Sequence, residues 1–349
     1  ILRLFNMADT VSPIYRLIVI FAACTIIVGG MKLADELIVP FILSIFIAMV
    51  VSPLVKVLRM RGIPHGVSIL LVVCLMLSAG FLFGAVIGSA MVNFQKDLPE
   101  YSAKLAVISS DIQAWLAEYG IVLSSEQWQS SFDPGALMVL VANMLTSFGN
   151  VMTNGFMILL TVVFILAENI GFAEKLSLAR GPQSSSVWLK TFTKSVNSYM
   201  AIKTAISLIT GLLIFLWLSF LGVDYAILWG LLTFLLNFIP AVGSVIASLP
   251  PVLLAIVQLG WISAALSLLG FISVNMLMGN LVEPRWMGRG LNLSPLVVFV
   301  SLVLWGWVLG PVGMLLSIPL TIMLKIGLES QTETKWIGSM LGSVASDSN

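Results

Sequence analysis

Charge is so sparse along this chain that its uncharged runs mark out the elements. Leu17–Met31, Leu37–Val55, Gly66–Gln95, Pro134–Ala167 and Thr204–Val223 carry no Asp, Glu, Lys or Arg. A helix needs about 20 residues to cross roughly 30 Å of hydrocarbon, so each run predicts a membrane span or contains one. The first is short, and Arg16 and Lys32 extend it by snorkelling. Pro40 falls in the first turn expected for the second, where a missing N–H costs little.

Beyond Asp224 simple span-counting fails. Tyr225–Val282 is 58 residues without a charge, broken by Pro240, Gly243, Pro250 and Pro251. Gly290–Leu324 is another 35, broken by Gly310, Pro311, Gly313 and Pro319. NFIPAVGSVIASLP (237–250) and WVLGPVGMLLSIP (307–319) share a plan: an apolar half-helix, Pro, Val-Gly, a short apolar run, then Pro. Half-helices of about 14 residues reach only about 21 Å. The pattern predicts two re-entrant helical hairpins, 225–259 and 294–324, around a sixth span at 261–281. Hairpins that dip from opposite faces and break near mid-membrane are a plan of secondary transporters. The alternative is eight ordinary spans with kinked helices.

Composition narrows the class. The 349 residues are 59% hydrophobic and 9% charged, with a mean hydropathy of +1.07. A soluble domain carries about 25% charged residues. The fold class expected is therefore an all-α polytopic membrane protein. A net charge of +1 gives no reason to expect nucleic acid. Cys24 and Cys74 lie inside apolar runs, His65 is the single histidine, and no GxxxxGK[ST] loop occurs. No metal, cofactor or enzymatic constellation is expected from these. No A-x-A-like site follows the first apolar run, so that run is expected to remain as an anchor.

Basic residues orient the spans. Lys56, Arg59 and Arg61 follow the second; Lys175, Arg180, Lys190, Lys194 and Lys203 lie between the fourth and fifth. Segment 93–150 instead holds Lys96 and Lys104 against Asp97, Glu100, Asp111, Glu118, Glu126 and Asp133. The first two loops are expected to be cytoplasmic, the third external, and both termini cytoplasmic. The expected organisation is spans one to three (1–92), an external helical insert (93–150), the fourth span with a cytoplasmic amphipathic helix (151–203), a transport core (204–325) and a tail (326–349). In the insert, Phe94, Leu98, Tyr101, Leu105, Ile108, Ile112, Trp115 and Tyr119 form a seam at heptad spacing. Its helix is expected to start at Asp97-Leu98-Pro99. The seam then packs on a second helix from Asp133-Pro134, or on a neighbouring subunit. The amphipathic helix is expected from near Val187, with Trp188, Phe192, Val196 and Tyr199 on one face.

Non-helical backbone at membrane depth survives where it is buried or lines a wet cavity. Asn237, Pro240, Gly243 and Ser244, with Ser248, are candidates to meet a polar solute at the first break. Asn275 and Asn280 on span six serve equally well as interhelical glue or as solute contacts. Glu283, Arg285 and Arg289, in GNLVEPRWMGR (279–289), are the only charges between Asp224 and Lys325. Glu283 and Arg285 form either a surface pair or a gate, with Pro284 ending the helix there. Lys203 is read as an interfacial anchor of the fifth span. Glu283 is the one carboxylate in this half placed to couple protons or sodium, which keeps a cation/proton antiporter open as the alternative to a solute exporter. A non-transporting scaffold would leave the two breaks without purpose.

KTAISLITGL (203–212), NFIPAVGS (237–244) and GNLVEPRWMGRGLNLSPLVVFVSLVLWGWVLGPVGMLLSIPLTI (279–322) resemble the autoinducer-2 exporter family, also called PerM-like permeases. The resemblance covers essentially the whole chain. It implies a bacterial inner-membrane transporter that exports the quorum-sensing signal autoinducer-2 as a homo-oligomer, possibly a pentamer, within the lipid bilayer. The positions that match the family pattern are Asn237, Pro240, Gly243, Gly279, Asn280, Glu283, Pro284, Arg285, Gly288, Pro311, Gly313 and Pro319. Some relatives resemble sodium/proton antiporters.

Overall fold

The computed structural model describes residues 13–120, 155–180, 185–287, 293–330 and 334–342, and every regular element among them is helical. In chain order these are α1 (Pro13–Leu33), α2 (Asp35–Met60), α3 (His65–Glu118), α4 (Gly155–Arg180), α5 (Ser185–Leu221), α6 (Ala226–Leu236), α7 (Gly243–Leu259), α8 (Trp261–Asn275), a π-helical turn (Met276–Val282), α9 (Glu283–Met287), α10 (Pro295–Leu315), α11 (Ser317–Glu329) and α12 (Lys335–Met340). Among the described residues five stretches are long and apolar enough to cross a membrane: Asp35–Met60, His65–Glu118, Ser195–Leu221, Trp261–Trp286 and Pro295–Leu315. Gly155–Glu168, Ala226–Leu236 and Gly243–Leu259 are apolar but shorter. The chain is an all-α polytopic membrane protein, as its uncharged runs imply.

α5 is the axis of the molecule, packing against α2, α4, α6, α8, α9 and α11. Its crossing with α6 is closed by two glycines. A Cβ on Gly211 would lie 2.6 Å from the Gly230 carbonyl oxygen, and one on Gly230 would lie 2.8 Å from the Gly211 oxygen. Backbone therefore meets backbone there, a close approach that small residues permit between apolar helices. One buried cluster (Ile214, Leu218, Trp229, Leu254, Phe271, Phe94, Tyr101) surrounds the C-terminal half of α5. A second (Val196, Tyr199, Met200, Phe46, Phe238, Leu309, Leu316, Ile318) surrounds its N-terminal half.

Both predicted hairpins are present as helical hairpins, α6–α7 and α10–α11, each packed limb against limb. Their tips share a construction. A Cβ on Gly243 would fall 1.8 Å from the Leu236 carbonyl oxygen, and one on Gly313 would fall 1.9 Å from that of Trp305. Each glycine lets the returning limb press on the carbonyls of the outgoing one. The second tip also turns at Gly310, whose φ of 65° suits glycine alone among common residues.

Several prolines act otherwise than the sequence suggests. α3 runs unbroken for 54 residues, about 81 Å long, through the expected helix start at Asp97-Leu98-Pro99. A mid-helix proline costs about 3 kcal/mol. Here Phe94, Tyr101 and Leu105, buried against α6 and α7, hold the helix together through it. Among the described residues, the first half of the heptad seam packs on the chain's own first hairpin. Trp115 and Tyr119, at its far end, are exposed among the described residues, and Asp133-Pro134 lies outside them.

Pro250 and Pro251 do not break the first hairpin, since both are buried inside the continuous α7. Pro284 does not end span six; α8, the π turn and α9 carry it to Met287. Pro319 is the third residue of α11, where its absent N–H would have lacked an intrahelical partner anyway. Pro40 sits in the second turn of α2, because that helix starts at Asp35. The expected amphipathic helix and the fifth span are one 37-residue helix, α5, with no Gly or Pro between them to separate the two. Val196 and Tyr199 on the expected face are buried; the side chains of Trp188 and Phe192 lie outside the described set. Lys32, expected to snorkel, stands 4.1 Å over the Trp307 ring.

Candidate functional site

A polar stripe runs along α5 between its two apolar clusters. Tyr199, Lys203 and Ser207 recur at steps of four and so share one helix face; all three are buried. Lys203 is only 4% exposed, and its Nζ donates to both carboxylate oxygens of Glu283, at 2.8 and 3.0 Å. Glu283 keeps 22% of its side chain exposed, so its side of the pair is only partly sealed. One turn further on, Asn237 Nδ2 donates to Ser207 Oγ at 2.9 Å. Thr210 Oγ1 follows, turned back to the Ile206 carbonyl at 2.8 Å.

Both hairpin tips reach this stripe. Phe238 of the first and Leu316 and Ile318 of the second join Tyr199 and Met200 in one cluster. Ser317, at the second tip, is fully buried with its hydroxyl unpartnered among the described residues. The site is thus a net-neutral ion pair, a hydroxyl–amide pair and two hairpin tips, stacked over about two turns of α5. An ion pair in so dry a setting survives because removal of either partner would strand the other's charge.

The predicted residues divide. Asn237 lies in the site, and Pro240, Gly243 and Ser244 build the tip that carries it. Gly310, Pro311, Gly313 and Pro319 build the second tip. Asn275 instead donates to its own helix, at the Phe271 carbonyl 2.8 Å away, and Asn280 is exposed, so the two amides do not converge. Arg285 is exposed and makes no ion pair with Glu283, because residues two apart in a helix do not face each other. Arg289 lies outside the described residues.

The pairing of Lys203, expected as an interfacial anchor, with Glu283 is what sequence reasoning missed. Ser195–Leu221 is apolar enough to cross, which puts Lys203 inside a candidate span rather than at its edge. The four-residue recurrence of Tyr199, Lys203 and Ser207 was the available signal.

A second polar cluster lies at the far end of the hairpin. Tyr225, the αL residue that starts α6, donates through its hydroxyl to Asp97 Oδ2 at 2.5 Å. Tyr101 donates to Asp224 Oδ2 at 3.1 Å and accepts from Gln258 Nε2 at 2.9 Å. Gln258 also bonds the Asp224 carboxylate, and its Oε1 accepts from the Asp224 backbone at 3.1 Å. This clasp fastens the long arm of α3 to both ends of the first hairpin. Burial is the main force that pushes the Tyr101 hydroxyl up to about 12, and the Asp224 charge adds to it. Burial likewise raises Tyr225, reinforced by its bond to Asp97. A surface cavity of about 390 Å³ opens beside the clasp, with Ser89, Asn93, Ser219 and Tyr225 in its wall, away from the hairpin tips. Among the described residues no group of three His, Cys, Asp or Glu is arranged to hold a metal ion.

The sequence model of the AI-2E family of transporters matches residues 17–332. The AI-2 transport protein TqsA of Escherichia coli (strain K12) is 40% identical, over 93% of this chain and 95% of its own length. A Haemophilus influenzae relative is 39% identical over 95% of this chain and 97% of its own. YhhT of Escherichia coli is 34% identical over 92% of each. The names of the last two carry no substrate.

Proposed function

The chain belongs to the AI-2E transporter family, and from that premise we propose that it exports a small, neutral, polar solute, autoinducer-2 first among candidates, past the stripe on α5. It is a multi-pass membrane protein and a transporter rather than an enzyme, by family and by its relatives. The observation that carries the proposal is the buried Lys203–Glu283 pair at the meeting of both hairpin tips. A pair of zero net charge offers donors and acceptors without attracting a free ion, which suits an uncharged solute. Autoinducer-2 enters through the name of the Escherichia coli relative.

In this reading the hairpins are re-entrant, and Asn237, Ser207 and Ser317 line the path. Glu283 gates it from the cytoplasmic side of a bacterial inner membrane, with both termini cytoplasmic. Residues 204–325 form the transport core, extended to Tyr199 and Lys203 by the stripe. The arms of α3 beyond the clasp offer Trp115 and Tyr119 for assembly into a homo-oligomer.

The test is purified protein in liposomes, with labelled autoinducer-2 and with or without ion gradients. Autoinducer-2 should move down its own gradient with no imposed ion gradient, and Glu283→Gln should slow it at least tenfold. No movement above protein-free liposomes removes autoinducer-2 as substrate. The second reading, cation/proton antiport, draws on Glu283 as the one partly open carboxylate of the site. Sodium-driven proton movement that vanishes in Glu283→Gln would put it first.

A further inference from the structure

The ion pair depends on a local irregularity of span six. Between α8 and α9 the helix widens into a π-helical turn, Met276–Val282, in which the Glu283 backbone N–H donates to the carbonyl of Met278, five residues back. Glu283 is the first residue after that turn, and Pro284 follows it. A π turn in an otherwise α-helical segment amounts to one extra residue, and such turns recur at functional sites. At about 100° per residue, everything after the turn is rotated by roughly that angle relative to a plain α-helix.

The sequence supplies the reason for the turn. In a plain α-helix the ring of Pro284 would clash with the carbonyl of Asn280, four residues back, and would leave that carbonyl without its donor. The wider turn displaces the carbonyl and removes the clash. Gly279, whose Cβ position opens onto empty space, is no steric obstacle to either form. The packing around the turn does not compel it either, since Met276, Leu277 and Leu281 are all exposed and only Met278 is buried.

We propose that Pro284 is the positioning residue of this site: it holds the π turn, and the π turn aims Glu283 at Lys203. Relaxation of the turn to α-helix swings the carboxylate about 100° from Lys203, which makes the turn the moving part of the gate. The inference rests on the reading of Glu283 as a gate, but its test does not depend on any transported solute.

The experiment uses the full chain with Cys24→Ala and Cys74→Ala, cysteines at Lys203 and Glu283, and a short bifunctional thiol reagent applied in membranes. With Pro284 present the two cysteines should cross-link efficiently. Pro284→Ala should lower the yield at least fivefold, because the turn relaxes and Glu283 rotates away. Deletion of Leu281 together with Pro284→Ala should restore the yield. That combination makes a plain α-helix with the extra residue removed, so position 283 faces Lys203 again.

A merely structural role for Pro284 predicts no rescue by a deletion. Equal cross-linking with and without Pro284, or a loss that the deletion leaves uncorrected, overturns the proposal. Thermal unfolding of each variant separates rotation from collapse: a variant that no longer unfolds cooperatively is replaced by Pro284→Ser with the same deletion. If cross-linking follows the prediction while autoinducer-2 does not move, the assignment of substrate fails and the positioning role stands.

Discussion

Lys203 and Glu283 stand 80 positions apart in sequence, and each stabilises a charge that the surrounding apolar side chains would otherwise reject. Truncating one partner of a buried pair costs about 3–5 kcal/mol because the other charge is stranded, whereas removing both costs much less. Lys203→Met should therefore destabilise the protein by about 3 kcal/mol, the lower end because Glu283 retains some exposure. The double variant Lys203→Met/Glu283→Gln should be more stable than Lys203→Met alone, a coupling that a double-mutant cycle on thermal unfolding reads directly. Additive effects would mean the pair does not exist in the membrane. The charged residues of this site were visible in the sequence, but their pairing was not. Glu283 has Arg285 as a near neighbour along the chain, and only the fold shows that helix geometry turns those two apart while a helix from elsewhere supplies Lys203.

At the scale of elements, the hairpin tips were legible because their glycines answer to a local requirement. The chain must fold back on its own carbonyls, and only a residue without Cβ allows that. Gly243→Ala and Gly313→Ala each place a methyl carbon about 2 Å from a backbone oxygen, which cannot yield as a side-chain end would. Each should destabilise by about 1–3 kcal/mol, as overpacking does, and slow transport. Gly279→Ala, which points into open space, should leave stability within about 1 kcal/mol. Equal tolerance at all three positions, measured as melting temperature in detergent, would discount the shared tip construction. Prolines were the unreliable signal. Pro240 sits in a break, yet Pro99, Pro250 and Pro251 sit in unbroken helix. The local cost is similar in each case, and the outcome is decided by what packs on either side, which single-sequence periodicity does not carry. The joining of the amphipathic segment to the fifth span is hidden in the sequence for the converse reason: no break residue separates them, while their differing polarity reads as two helices.

At the scale of the whole molecule, the clasp ties the α3 arm to the first hairpin through two tyrosine hydroxyls that must stay protonated to donate. The raised value of Tyr101 means its neutral form is favoured by folding. That contribution is complete below pH 10 and is lost as pH climbs toward 12. Phenolate absorbance should thus show a tyrosine step near pH 12, above the ordinary range, that Tyr101→Phe removes, with the arm loosening to proteolysis over the same interval. Ionisation of every tyrosine near pH 10 would rule the clasp out. The seam that feeds this clasp was plain in the sequence, while its partner was not, because heptad spacing says that a face is buried and not against what. Lys56, Arg59 and Arg61 on one side and the acids of segment 93–150 on the other agree with cytoplasmic and external faces respectively. Two re-entrant hairpins then return α9 to the cytoplasm, whereas eight full spans would place it outside. Trp286, half-exposed in α9 three residues beyond Glu283, distinguishes them. In the background lacking Cys24 and Cys74, Trp286→Cys should react with a membrane-impermeant maleimide only after the cytoplasmic face is opened. Labelling in intact cells at the rate of a cysteine placed at Tyr119, on the α3 arm, would exchange the hairpins for spanning helices and move the proposed Lys203–Glu283 gate to the other mouth of the path.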